Sequence, residues 1–129
     1  MTTSSVSPVT TELAGSETGI TLIIHAGAGS RGKHSTPERI AQVELDLQRA
    51  LDAGYQLLES GAPAHEAVVA AIHVMEDAPE FNAGRGAALT SDGIAQMDAC
   101  LMTGDGEVGA VTGVSTVKNP IDAARAVKE

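Results

Sequence analysis

The chain has 129 residues, 43% of them hydrophobic and 19% charged, which is the size of one ordinary domain and excludes a second full one. Asp and Glu number 17 against 8 for Lys and Arg, a net charge of −9, so a nucleic-acid backbone or an anionic membrane would be repelled and neither is expected as a partner. The two aromatic residues are Tyr55 and Phe81, which leaves Ala, Val, Ile, Leu and Met to build a core of thin layers with closely approaching backbones.

Residues 1–19 are crowded with Ser and Thr and hold few large apolar side chains. They cannot repay the entropy of ordering, and a mobile arm is expected. Ile20–Ile24 is a run of β-branched residues and Leu before HAGAGSRG, the pattern of a short central strand buried on both faces and followed by a glycine loop. Ser35-Thr36-Pro37-Glu38 supplies a capping hydroxyl, a proline for the first helical position and an early acid. Ile40, Val43, Leu47, Ala50, Leu51 and Leu58 follow at helical spacing, predicting a helix to about Ser60 that stops at Gly61.

A second helix is predicted from near Pro63, packing through Ala67, Val68, Ala71, Ile72 and Met75 and ending at Asp77-Ala78-Pro79. Beyond Pro79 glycines punctuate Ala87–Thr90, Ile94–Met102 and Val108–Val114. These predict strands joined by turns at Ser91-Asp92-Gly93 and Gly104-Asp105-Gly106. Asn119-Pro120 is expected to cap a last helix from Ile121 to Glu129, where the chain stops partway through the element.

Cys100 is the one cysteine, which excludes an internal disulfide and a multi-thiolate metal site and fits a reducing compartment, the cytoplasm. The longest apolar runs, Ile20–Ile24 and Ala67–Ile72, fall far short of the roughly 20 residues of a membrane helix. The N-terminus has neither the basic residues nor the apolar stretch of a signal peptide. The chain is read as soluble.

Gly27-Ala28-Gly29-Ser30-Arg31-Gly32 matches GxGxxG after a predicted strand, but a dinucleotide site needs the helix to open inside the glycine motif. Here the helix signal begins beyond Lys33 and His34, and the expected acid falls on that helix as Asp46 or Asp52. A turn that lets the backbone approach another group is the better account. Of the histidines, His34, His65 and His73 read as packing or solvated residues, because no third ligand stands at a regular spacing to make a zinc site. His25 closes the predicted strand where site residues gather, though a structural hydrogen bond remains its first reading. Phe81-Asn82-Ala83-Gly84-Arg85-Gly86 joins a helix end to a strand. By residue type alone it is first a connection with Phe81 plugging the core, and second a loop that could turn its carbonyls around a hard cation or lie along a substrate.

The blocks HAGAG, ALDAGYQLLESGAPAHEAV, MEDAPEFNAGRGAALTSDG, MDACLM and VGAVTGVSTVKNPIDAAR, in that order over Ile20 to Glu129, resemble the α-subunit half of the plant-type L-asparaginase and isoaspartyl peptidase family. EDAPEFNAGRG carries most of the specificity. The resemblance implies an α/β (α+β) fold, the incomplete N-terminal part of an αββα N-terminal-nucleophile hydrolase sandwich over residues 20–129. It implies a precursor that cuts itself before a threonine, whose hydroxyl is the nucleophile and whose α-amine is the base. The implied reaction is hydrolysis of asparagine or of β-aspartyl dipeptides through an acyl-enzyme, with an oxyanion hole from the second half. It further implies an active-site wall of Asn82, His25, Ala26, Gly27 and Gly29. A sodium-type cation, Na⁺ or K⁺, is implied on main-chain carbonyls of Met75, Glu76, Ala78, Phe81, Ala83 and Arg85, with no organic cofactor. The implied partners are a C-terminal β-subunit-like half, assembled as a dimer of αβ units, and a small amide substrate.

The chain departs from the family pattern at Ala26, where a glycine is usual, and at Thr103, where an aspartate is usual. It contains no Gly-Thr dipeptide. Gly106-Glu107-Val108-Gly109-Ala110-Val111 imitates the nucleophile block with Glu107 in the threonine's place, and Thr2, on the expected arm, is no substitute. The catalytic threonine is therefore expected on a part this chain lacks, and the chain alone is expected to be inactive. The alternatives are a truncated partner or regulator of a full-length homologue, and a small nucleotide-binding domain using Gly27–Gly32.

Overall fold

The structure, a computed structural model, describes residues 19–27 and 35–129. Apart from Gly19, the expected arm lies outside the described residues, as do Gly29 and His34. The order of elements is α1 (Pro37–Glu59), α2 (Ala64–Asp77), a 3₁₀ turn (Gly84–Gly86), β1 (Met97–Met102), β2 (Val108–Val114) and α3 (Pro120–Lys128). Helices with one small antiparallel sheet make this an α+β arrangement.

α1 starts where its punctuation predicts. Thr36 Oγ1 accepts the Arg39 N–H at 3.3 Å, Pro37 takes the first helical position, and Glu38 suits the positive end of the helix. The last turn closes with Gly61 N–H to Leu58 O at 3.0 Å and Ala62 N–H to Leu57 O at 2.9 Å. α2 then runs back along α1, whose Gly54 lies so close that an added Cβ would stand 2.8 Å from the Ala67 carbonyl. This is the backbone-to-backbone packing expected of a chain poor in aromatics. Val43, Ala50, Ala71, Met75, Ala78 and Phe81 form one buried cluster. Ile40 and Leu45, by contrast, remain 45% and 47% exposed. Ile40 was expected on the packing face. α1 has 23 residues and α2 has 14, so at 1.5 Å per residue about 34 Å of helix faces about 21 Å, and the N-terminal turns of α1 overhang.

Ile20–Ile24 is not a doubly buried central strand. It runs without a ladder partner among the described residues, exposure alternates along it, and Ile23 is 81% exposed. Its inward residues reach the helices: Leu22 packs at Gly54, and Ile24 and Ala26 lie on the first core cluster. Ala87–Thr90 likewise reduces to a single bridge, Leu89 to Ala95, and regular pairing of the next segment begins at Met97.

β1 and β2 pair antiparallel in the register Ala99 to Val111, Cys100 to Ala110, Leu101 to Gly109 and Met102 to Val108. A register shift lies between Met97 and Ala99. There Asp98 Oδ1 accepts both the Thr112 hydroxyl at 2.8 Å and the Gly113 N–H at 2.7 Å. One sheet face packs on helices through Val69, Leu101, Ile121 and Ala124. Gly109 lies directly against the Ala124 carbonyl. The other face, carrying Cys100, Met102, Val108 and Ala110, is exposed.

Asn119 stands at the N-cap of α3 without capping it: its side chain makes no bond to the helix and its Nδ2 donates instead to Asp77 Oδ1 at 3.4 Å. The Ile121 N–H goes to the buried Glu76 Oε1 at 3.1 Å. Further polar contacts tie α3 to α2. Arg125 forks onto both oxygens of Glu66 at 2.7 and 3.1 Å, and His73 Nε2 lies 2.7 Å from Asp122 Oδ1.

Candidate functional site

The two glycine loops singled out by the sequence are both anchored on the first core cluster, one through Ala26 and the other through Phe81. In the first loop the Gly27 N–H is 3.3 Å from His25 Nδ1. His25 therefore accepts on Nδ1 and, when neutral, carries its proton on Nε2, where it can donate outward. Gly27 has φ +97° and no neighbour within 4 Å of an added Cβ among the described residues; its lack of a side chain serves the left-handed backbone.

The second loop is built differently. α2 ends at Asp77, and Pro79, four residues after Met75, has no N–H to return to the Met75 carbonyl. Ala78 and Phe81 turn into the core while Glu80 pairs with Arg39 at 3.0 Å. The chain then folds back on the helix end as the 3₁₀ turn. Gly84 sits against the backbone and Cβ of Glu76, and a Cβ there would collide with the Glu76 carbonyl oxygen. A Cβ on Gly86 would collide with the carbonyl oxygens of Phe81 and Pro79. Ala83 O accepts the Gly86 N–H at 3.0 Å. Carbonyls of the helix end and the loop thus converge on a turn where only glycine fits.

Asn82 lies on the exposed side of this loop. Its Oδ1 accepts the Ala88 N–H at 2.8 Å, which assigns the amide orientation and leaves Nδ2 without a partner among the described residues. That is a donor held in place by its own acceptor. Arg85, also exposed and without an ion-pair partner among the described residues, edges an open cleft of about 530 Å³ that Glu76, Asp77, Gly84, Met97 and Lys118 help to line.

Charge is managed closely at the end of α2. Burial pushes the Glu76 carboxyl up from its ordinary value, against the pull of Asn119, the Ile121 N–H and His73. Oε2 of Glu76 is buried without a hydrogen-bond partner among the described residues, the residue being 4% exposed. Asp77 next to it is held low by Lys118, then by Asn119.

All six expected cation ligands lie on the α2 end and this loop. Met75, Glu76, Ala78 and Phe81 are buried, Ala83 is half-buried and Arg85 exposed. The carbonyls of Glu76 and Phe81 are the ones seen to face the glycine turn. Main-chain carbonyls are uncharged oxygen donors of the kind a hard cation takes, and those of Glu76 and Phe81 lie in close contact with Gly84 and Gly86 respectively. Among the described residues no group of three His, Cys, Asp or Glu side chains could hold a metal ion. His65 and His73 lie beside carboxylates, Glu66 at 3.5 Å and Asp122 at 2.7 Å. Glu107 sits in the hairpin paired with Lys128 at 3.2 Å. No described helix is long and apolar enough to cross a membrane.

The side chain of Glu76 is the residue sequence reading passed over. Its signal was available: it lies four residues after Ile72 and seven after Val69, an acid in register with the apolar stripe of α2.

A family model described as asparaginase matches residues 18–129. A plant-type L-asparaginase of Pyrococcus abyssi is 47% identical over 111 residues, which cover 85% of this chain and 35% of that protein. An isoaspartyl peptidase of Escherichia coli is 40% identical over 111 residues, covering 84% and 34%. An isoaspartyl peptidase/L-asparaginase of Bos taurus is 39% identical over 109 residues, with the same coverage. The chain spans about a third of the length of the curated relatives it matches.

Proposed function

Because the chain belongs to the asparaginase family, we propose that it forms the N-terminal, α-subunit part of an amidohydrolase acting on L-asparagine, on β-aspartyl dipeptides, or on both. The observation that carries this reading is the FNAGRG loop, which fixes Asn82 by its Oδ1 and presents its free Nδ2 from a turn where glycine alone fits. In this reading the nucleophile is a threonine at the head of a separate or subsequent segment, freed by self-cleavage. Its hydroxyl oxygen attacks the side-chain carbonyl while its own α-amine takes the proton. Ammonia or an α-amino acid leaves, and water hydrolyses the resulting ester. Asn82 donates from the α side to the nucleophile or to the substrate, and the loop from His25 to Gly29 lines the same space.

The carbonyl cradle suits Na⁺ or K⁺ on Met75, Glu76, Ala78, Phe81, Ala83 and Arg85, where the ion would supply fixed charge that holds the loop. An αββα sandwich would explain two features at once. The bare face of β1 and β2 would pack on a second sheet, and Ile20–Ile24, extended but unpaired, would gain its neighbours from the same added part. We place the assembly, a dimer of αβ units, in the cytoplasm, which suits the single Cys100.

The test is complementation. Ammonia release from L-asparagine and hydrolysis of β-aspartyl dipeptides are measured for the 129-residue chain alone and mixed with a C-terminal part headed by threonine from a relative. No turnover alone and turnover on mixing are expected, and turnover by the chain alone overturns the assignment of roles. Asn82→Ala in the complemented enzyme should lower kcat by about 10²-fold, as removal of a single positioned donor does elsewhere.

A further inference from the structure

Glu76 does two things from one Cα. Its side chain runs into the interior, where Oε1 accepts the Ile121 N–H at 3.1 Å. Pro120 has no N–H, so this is the first donor of α3, and Asn119 at the cap position leaves it open. Its carbonyl group and Cβ are the surface on which Gly84 rests: the three atoms nearest a Cβ at Gly84 are the carbonyl oxygen, Cβ and carbonyl carbon of Glu76. The residue that caps α3 is therefore the residue that aims a carbonyl at the FNAGRG turn. A shift of its Cα moves both. Among the described residues the second oxygen, Oε2, gains no hydrogen bond from its burial, so the side chain is held through Oε1 alone.

We propose that Glu76 is a positioning residue for the FNAGRG turn: its carboxylate, held by the N-terminus of α3, fixes the last turn of α2 and with it the carbonyl cradle, so that α3 docking and cation affinity are coupled. This rests on the cation reading given above. Asp77, paired with Lys118 at 2.9 Å, crosses the same seam from an exposed position, and the Ile121 N–H goes to Glu76 rather than to it. It supplies the control.

The experiment is a sodium titration of the full 129-residue chain followed by ²³Na line broadening, together with thermal unfolding in NaCl against choline chloride at equal ionic strength. The variants are Glu76→Met, which keeps the volume and removes the acceptor, Glu76→Gln, which keeps an acceptor oxygen, and Lys118→Ala. Wild type, E76Q and K118A should bind sodium within about twofold of one another, while E76M should bind about tenfold or more weakly, the size of loss typical when a residue that orients ligands is removed. The sodium-dependent rise in Tm should shrink in step for E76M alone. If E76M is less stable in both salts yet keeps the sodium response, Glu76 is only a structural cap and the proposal is overturned. An equal loss in K118A makes any loosening of the seam sufficient, which also overturns it. If E76M does not fold, Glu76→Ala decides: loss of the sodium response there supports the proposal and its retention overturns it, while loss in E76Q, with the acceptor retained, also overturns it. Absence of a sodium response in wild type removes the cation reading itself, a result distinct from the others.

Discussion

The two glycine loops share a left-handed glycine, and the second adds a demand for space. Gly27 meets no neighbour among the described residues and needs a left-handed backbone, whereas Gly84, left-handed as well, and Gly86 are pressed against carbonyl oxygens of Glu76, Phe81 and Pro79. The first is a conformational requirement, which an added methyl violates mildly. The second is a requirement of space, and the atoms in the way are backbone. A glycine loop whose walls come from its own chain is fixed by packing as well as by backbone torsion.

The largest effect that would sharpen this contrast is loss of the plug beneath the packed loop. Phe81→Ala should destabilise the chain by about 3–5 kcal/mol, the usual cost of emptying a buried aromatic site, read from urea unfolding. Gly86→Ala should follow at about 3 kcal/mol, since overpacking against backbone has no side chain to yield. Gly27→Ala should cost only about 1–2 kcal/mol, the price of a left-handed alanine. Equal costs at Gly27 and Gly86 would break the comparison.

The smallest effect lies away from both loops. The Asp98 carboxyl is held below its ordinary value by the Gly113 N–H, then by Thr112, and that of Asp105 by Thr103, then by a backbone bond at Glu107. Their folded values lie below their unfolded ones, so the stability they add is complete above the ordinary aspartate range and is lost as pH falls through the depressed values. Asp98→Asn should flatten the acid limb of a stability curve and leave the costs of the glycine variants unchanged.

The helices and the hairpin were legible because their boundaries are written in neighbouring residues: Thr36-Pro37 at the start of α1, Gly61 after its end, Gly104-Asp105-Gly106 between β1 and β2. Ile20–Ile24 misled because a run of β-branched residues encodes an extended backbone but not the partner it pairs with. The cap of α3 misled for a related reason. Asn119 has the composition of a cap, but the acceptor comes from Glu76, 45 residues before the Ile121 it serves. At the candidate site the motif pointed to FNAGRG as a loop, while the reason for its glycines, carbonyls converging from a helix that ends one turn earlier, is a tertiary fact. Ile40 follows the helical period faithfully and is exposed because the opposite helix is too short to reach it.

Cys100 sits on the bare face of the sheet beside Ala110 and Met102, and no second thiol competes with it. Any polypeptide laid over that face must shield its sulfur. The rate at which a maleimide labels the chain, before and after a candidate companion is added, therefore counts covered molecules directly, and it does so whether or not the assembly turns over a substrate.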